Sequence, residues 1–441
     1  MQTSYRRNSE LSLLLFALVI GSGSLALVAM ARNLRRVELA VPFMGVLVVA
    51  YVVAHIIVRK TARQADSLIL PLAAILNALG LAAIYRLAPR DYGPIQVTWT
   101  AVGAAAFIAT LLVVRDYKML ARYKYILGFA GVALLLLPLS PLGEEVFGAR
   151  LWVNVGAFSF QPGELAKIAL VLFFAAYLAE RKELLALATR RIAGLHVPDL
   201  KHFGPLLVMW GLSLAVMFYE KDLGSSLLFF SIFLVMLYIA TARFVYMAFG
   251  GLLFIVGAYI GYQMFPHVQV RVQVWLDAFN PDLIQGPSFQ LAQSLFALST
   301  GGLFGTGLGQ GRPDLIPAAH TDFIFSVVGE ELGLLGTAAV LLCFMLLVTR
   351  GLHIAMNGRS DFGILLAGGL TTILGVQTFI ILAGATRLLP LTGITLPFMS
   401  YGGSSLLSNF ILIALLIRIS HQDVSEPAPA DTAEILIGAR G

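Results

Sequence analysis

The residue best placed for acid–base chemistry is Asp322, in the stretch PAAHTDFIFSVVGEELG. It stands where a polar segment meets a long apolar run, so its carboxylate can face water and take a proton from a hydroxyl as a general base. The plainer alternative is that Thr321 and Asp322 cap the following helix, where a dipole favours an anion. His320 adjoins them, and Glu330 and Glu331 lie two turns deeper, where at least one needs a partner. A second polar cluster, FYEKDLGSS, puts Glu220, Lys221 and Asp222 in a tight turn between two short apolar runs. It is either a solvated hairpin or a second charged wall of the same cavity.

A third stretch, GARLWVNVGAFSFQPGELAK, holds Arg150, Trp152, Gln161, Glu164 and Lys167. Pro162 suits the first turn of a helix. Glu164 and Lys167, three residues apart, share a helix face and can pair there, for stability or for function. Trp152 fits an interfacial belt or a platform for a sugar ring. Arg271, Arg312 and the run GGLFGTGLGQGR form the fourth place of interest. Six glycines in eleven residues predict close backbone approach to a ligand. No Walker lysine or serine follows, which excludes a nucleotide loop. Arginine forks match phosphate oxygens, so Arg271 and Arg312 suit a lipid-linked diphosphate, or else are solvated loop charges. His55, His196, His202, His267, His353 and His421 lack the spacing of a zinc site, and the single cysteine, Cys343, sits in an apolar run where it reads as inert.

These groups need elements to hold them, and the elements are membrane spans. Hydrophobic residues make up 59% of the 441 and charged residues 12%, against about 25% charged in soluble domains. Crossing the hydrocarbon takes about 20 apolar residues. On that measure, spans lie near 11–31, 38–58, 68–88, 95–114, 125–141, 163–180, 204–219, 224–240, 244–264, 323–349, 361–383 and 404–420. The expected fold is an all-α polytopic bundle of about twelve helices. The first apolar run is too long for a cleaved signal and reads as a retained span.

Basic residues orient the bundle. Arg59, Lys60, Arg63, Arg115, Lys118, Arg122, Lys124, Arg181, Lys182, Arg190, Arg191 and Lys201 fall on one side with both termini, which is therefore expected to be cytoplasmic. Arg32, Arg35 and Arg36 dissent, making the first hairpin the weakest part of the topology. Two long loops, about 142–162 and 265–322, then lie outside, and the aromatic content of the second predicts that it packs. Pro390, Gly393, Pro397, Gly402 and Gly403 predict an irregular cavity wall in 387–409, since broken backbone at membrane depth survives only against protein or water. The tail 421–441 is rich in Pro, Ala and acid and is expected to be disordered and cytoplasmic. The net charge of +6 is spread over short loops and carries no nucleic-acid signal.

Together these stretches resemble the SEDS family of membrane glycosyltransferases, the FtsW/RodA type, over residues 66–420. The family's GxxRW…FQPSE…K block is similar to Gly148–Lys167. Its QPDLGT turn resembles Glu220–Ser225, its GGLFGxGLG…LPEAHTDFIFxxxxEELG block Gly301–Gly333, and its PLPFxSYGGSS block Thr395–Ser405. The chain departs from the pattern at Arg150-Leu151-Trp152, one residue out of step, at Lys221 for proline, and at Ala318 for glutamate. Residues 1–65 hold two spans beyond the family's ten.

The resemblance implies a peptidoglycan glycosyltransferase of the elongation branch in a Gram-positive, high-GC bacterium, with a division role still open. It would polymerise lipid II outside the cytoplasmic membrane beside a class B penicillin-binding transpeptidase. Asp322 would be the catalytic base and Asp222 the family's second important aspartate. Lys221, Arg271, Arg312, Trp152, Gln161, His320, Ser400 and Tyr401 complete the expected substrate-binding set, and Arg387 is a further candidate for the diphosphate. No cofactor is required by the pattern, though Mg or Mn could share the charge. A lipid II flippase is the competing reading, because broken helices and an intramembrane ion pair also suit carriers. A non-catalytic scaffold is the third, and it predicts that Asp322 is dispensable.

Overall fold

The structure, a computed structural model, describes residues 2–32, 35–146, 149–155, 158–186, 190–192, 195–197 and 204–425. Each predicted span coincides with a helix: α1 (Gln2–Arg32), α2 (Arg35–Thr61), α3 (Ile69–Leu87), α4 (Tyr92–Val113), α5 (Lys124–Leu136), α6 (Gly163–Ala186), α7 (Gly204–Tyr219), α8 (Leu223–Thr241) and α9 (Phe244–Met264), then α12 (Ile324–Met356), α13 (Asp361–Ala385) and α14 (Gly403–Ser425). The long loop between α9 and α12 packs as expected, around two short helices, α10 (Pro266–Leu276) and α11 (Phe289–Gly301). Among the described residues, ten helical segments are long and apolar enough to cross a membrane. Of the other two, α6 carries Glu164, Lys167 and a charged end, and α7 has only 16 residues.

Composition decides who sits inside. In α3 and α14 89% of the apolar stretch is buried, against 11% in α9, so the first two are interior pillars and α9 a lipid-facing rim. Small residues make the interior possible. A Cβ on Gly80 of α3 would fall 2.5 Å from the Met399 backbone, and one on Gly103 of α4 would fall 2.3 Å from the Phe410 ring of α14.

Two ends can be distinguished. At one, buried Arg7 donates to the Ala65 carbonyl, and the Asp66 amide donates to Ser420 Oγ at 3.0 Å. The amino end, the 62–66 turn and the carboxy-terminal end of α14 therefore lie together. At the other end, Arg86, closing α3, reaches the Gly311 carbonyl at 2.7 Å. The first hairpin thus turns at the end that holds the long loop, with Ala31 of α1 beside Gly309. The side chains of Arg35 and Arg36 lie outside the described residues, as do Gly148 and the tail beyond Ser425.

Two sheets were not legible, the smaller a ribbon of Arg190–Ile192 paired with Leu195–Val197. Within 142–162 the chain forms an antiparallel sheet, β1 (Gly143–Val146), β2 (Ala149–Val155) and β3 (Phe158–Phe160), with Glu144 opposite Trp152 and Val153 opposite Phe160.

Candidate active site

Asp322 stands two residues ahead of α12. The helix is capped at Phe323 with no side-chain hydrogen bond, so the capping reading of Thr321 and Asp322 gives way. Instead Asp322 ends a tight turn in which its amide and that of Thr321 donate to the Ala318 carbonyl, at 3.2 and 3.1 Å. Ala318 adopts φ +55°, a strained position for a residue with a side chain.

The turn is clasped from behind by the irregular segment between α13 and α14. Ser400 Oγ donates to the Thr321 carbonyl at 2.6 Å, and the Tyr401 amide donates to the His320 carbonyl at 2.8 Å. The His320 ring stacks on Tyr92, with centroids 4.2 Å apart, and Tyr401 lies 4.8 Å from Tyr92. Gln96 of α4 holds the Ser400 carbonyl in turn. His320, Ser400 and Tyr401 are thus gathered beside Asp322, as the scaffold of its turn.

In front of Asp322 opens a cavity of about 210 Å³, lined also by Arg271, Trp275, Gln290, Leu391 and Gly393. Leu391 and Gly393 belong to the segment predicted to form a cavity wall. Burial pushes the Asp322 carboxyl up to about 6, while Arg271 and the Thr321 hydroxyl pull the other way. The same arginine acts on Asp222, which caps α8 by accepting from the Ser225 amide at 2.9 Å. Burial raises Asp222; Ser225 and Arg271 lower it, and Glu164 raises it. Arg271 therefore links the two aspartates. Its guanidinium also donates to the Thr392 carbonyl at 3.3 Å. Burial lowers the nearby His267 imidazole, with Arg271 and Lys221 adding to the effect, so cationic groups cluster at this rim. Lys221 is exposed and has φ +61°.

Glu164 and Lys167 form an ion pair of 2.6 Å. Their outer partners come from far along the chain: Ser408 donates to Glu164 at 2.8 Å, and Lys167 donates to Gln377 at 2.8 Å. Gln377 passes the link to the Thr395 carbonyl. The Gln161 amide donates to Ser404 Oγ at 2.8 Å. This network leads from α6 to the irregular segment.

Other expected residues stand apart. The side chain of Arg312 is 69% exposed, faces Asp314 at 3.6 Å, and is not among the residues lining the Asp322 cavity. Trp152 lies on the outer sheet, also outside that lining. Arg387 donates to the Trp275 carbonyl at 2.8 Å and its own carbonyl accepts from the Trp275 indole, so it fastens the end of α10. The glycine run approaches the chain's own α12 and not an open ligand space: the Thr306 and Gly307 amides donate to the Glu330 and Glu331 carbonyls. A Cβ on Gly305 would fall 2.2 Å from the Glu331 carbonyl oxygen. Arg86 and Gln290 carried no local signal of their positions.

A model of the FtsW/RodA/SpoVE family, described as cell cycle protein, matches residues 67–425. The chain belongs to this family. It is 46% identical over 426 residues to the peptidoglycan glycosyltransferase RodA of Mycobacterium leprae, covering 94% of this chain and 90% of that one. It is 36% identical over 310 residues to the probable peptidoglycan glycosyltransferase FtsW of Geobacter sp. (strain M18), covering 69% and 80%. The mycobacterial match is too long to leave out the whole amino-terminal hairpin. Among solved structures, a chain of a peptidoglycan synthase complex superposes with a TM-score of 0.65 at 26% identity, covering 82% of this chain and 99% of that chain. The rod shape determining protein RodA of Thermus thermophilus gives 0.56 at 25% identity, covering 82% and 98%.

Proposed function

We propose that this member of the FtsW/RodA/SpoVE family is a peptidoglycan glycosyltransferase that polymerises lipid II at the outer face of the cytoplasmic membrane. The reading as a glycosyltransferase rests on the family and on relatives of that name. The observation that carries the residue-level reading is the pairing in one cavity of a half-buried, weakly solvated aspartate, Asp322, with Arg271.

Asp322 accepts the proton of the acceptor sugar's 4-hydroxyl. The freed oxygen pair attacks the anomeric carbon of the donor, the bond from that carbon to the diphosphate oxygen breaks, and inversion gives a β-1,4 link. A carboxyl titrating near 6 is a better base than an ordinary aspartate yet still ionised at neutral pH. Charge grows on the departing undecaprenyl diphosphate, and a fixed guanidinium in a poorly hydrated cavity stabilises it most as it forms. Arg271 fills that role, held by the Thr392 carbonyl, with Lys221 at the rim and Asp222 attracting it electrostatically.

The excess of basic residues at the end opposite Asp322 supports cytoplasmic termini and an extracytoplasmic site. A class B penicillin-binding transpeptidase is the proposed partner, supported by the likeness to a chain of a peptidoglycan synthase complex; copurification from the native membrane tests it. The activity test is direct. Purified protein given lipid II yields glycan polymer, and folded Asp322→Ala yields none. Full polymerisation by that variant removes Asp322 from the mechanism, and lipid II translocation without polymer favours a flippase.

A further inference from the structure

The turn that presents Asp222 begins with a second carboxyl group that the mechanism above leaves idle. Glu220 is 5% exposed, and its Oε1 has no hydrogen-bond partner among the described residues. It lines a cavity of about 20 Å³, room for one water, together with Asp222, Gln161 and Ser225. The rest of that lining is apolar, including Leu135 from α5, Pro138 from the turn after it and Leu151 from β2. Among the described residues no basic side chain lines this space. Lys221, next in sequence, is exposed and acts on His267, while Arg271 acts on Asp222. Glu164 is a further acid beside Asp222. An ionised Glu220 would therefore be a buried charge with no counter-ion lining its cavity and with Asp222 beside it, an arrangement that proteins resolve by keeping the group protonated.

The family turn that this stretch resembles begins with glutamine where this chain has Glu220. A protonated glutamic acid is the closest match to glutamine: similar in size, uncharged, with one carbonyl oxygen and one donor.

We infer that Glu220 is a positioning residue that works as a neutral carboxylic acid, standing in for an amide and filling the space beside the Asp222 turn without adding charge to the cavity. The inference rests on the proposed glycosyl transfer, because its effect is read through Asp222 and Arg271. Burial, with Asp222 adding to it, lifts the Glu220 carboxyl to about 8. Above that pH the proton leaves, a second anion appears beside Asp222, and Arg271 is drawn from the diphosphate. Below it the turn is intact. The expected result is an alkaline decline in activity that belongs to Glu220.

The experiment measures glycan polymer from lipid II by the full-length purified protein at pH 7 and pH 9. The wild type should lose about tenfold between them, since a group titrating near 8 keeps about a tenth of its protons at pH 9. Glu220→Gln should match the wild type within about twofold at pH 7 and lack the decline. Glu220→Ala should be weak at both values. A folded Glu220→Gln as inactive as Glu220→Ala, or one that keeps the alkaline decline, overturns the inference. If Glu220→Gln alone folds poorly, the double variant Glu220→Gln/Lys221→Pro restores the family's pair and is read the same way; failure of both to fold also overturns it. A wild type without polymer at pH 7 defeats the glycosyl-transfer reading instead, which keeps the two failures distinct.

Discussion

Two acidic sites on one stretch of chain have opposite fates. Glu331 of α12 is matched on all sides: Arg86 donates to it at 2.9 Å and the Gly309 amide at 2.9 Å, while the Arg312 amide donates to neighbouring Glu330 at 2.7 Å. Asp322, nine residues earlier, has a threonine hydroxyl, a shared arginine and an open cavity. The first site uses its charge to fasten the glycine run to the helix. The second leaves charge available for a reaction. Burial is common to both, so burial alone does not mark a catalytic acid; unmatched acceptor capacity beside open space does.

The comparison can be broken most sharply at Asp322. Asp322→Ala should lower polymerisation by about 10²–10⁴-fold, the usual worth of positioned proton transfer, with the melting temperature held or raised. Activity of the wild type should also fall with acid, about tenfold per pH unit below about 6, as the base takes up its proton. The sign for stability runs the other way from an ordinary salt-bridged aspartate. The folded carboxyl titrates near 6 and the unfolded one near 3.8, so the fold holds the extra proton between these values and loses stability as pH rises through that window. Asp322→Asn should therefore melt higher than wild type at pH 7 by calorimetry or dye binding.

At the matched site the expectation is reversed. Glu331→Ala strands the buried Arg86 and should cost about 3–5 kcal/mol of stability. Loss of activity there should follow loss of folded protein in size-exclusion chromatography; a well-folded but inactive Glu331→Ala would erase the distinction. The smallest effect is expected at Glu164 and Lys167. Removing either alone should harm stability more than removing both, with a coupling of about 0.5–3 kcal/mol in a double-mutant cycle; additive losses would count against the pair.

How much of this was legible follows the range of the interaction. The spans were readable because a 20-residue apolar run is a local property, and Glu164 with Lys167 because three residues is one helix turn. The partners of that pair, Gln377 and Ser408, lie more than 200 positions away and left no local mark. Six glycines were read as close backbone approach to a ligand, but glycine has no side chain to say what approaches, and the answer was α12. Two loop arginines looked equivalent in sequence; the structure puts Arg271 on the cavity with Asp322 and Arg312 at an exposed corner. The sheet at 143–160 was missed because its strands are short and interrupted by glycine.

The amino-terminal hairpin gives the outer loop one of its walls. A Cβ on Gly309 would stand 2.6 Å from the Ala31 Cβ at the far end of α1, and 3.5 Å from the Val28 carbonyl oxygen. Gly309 in turn supplies the amide that holds Glu331. Cutting away residues 1–65 to make a minimal ten-span enzyme would thus leave a notch beside that amide, and because Gly309 stands at φ +79°, where a side chain is strained, the space would fall to a lipid tail.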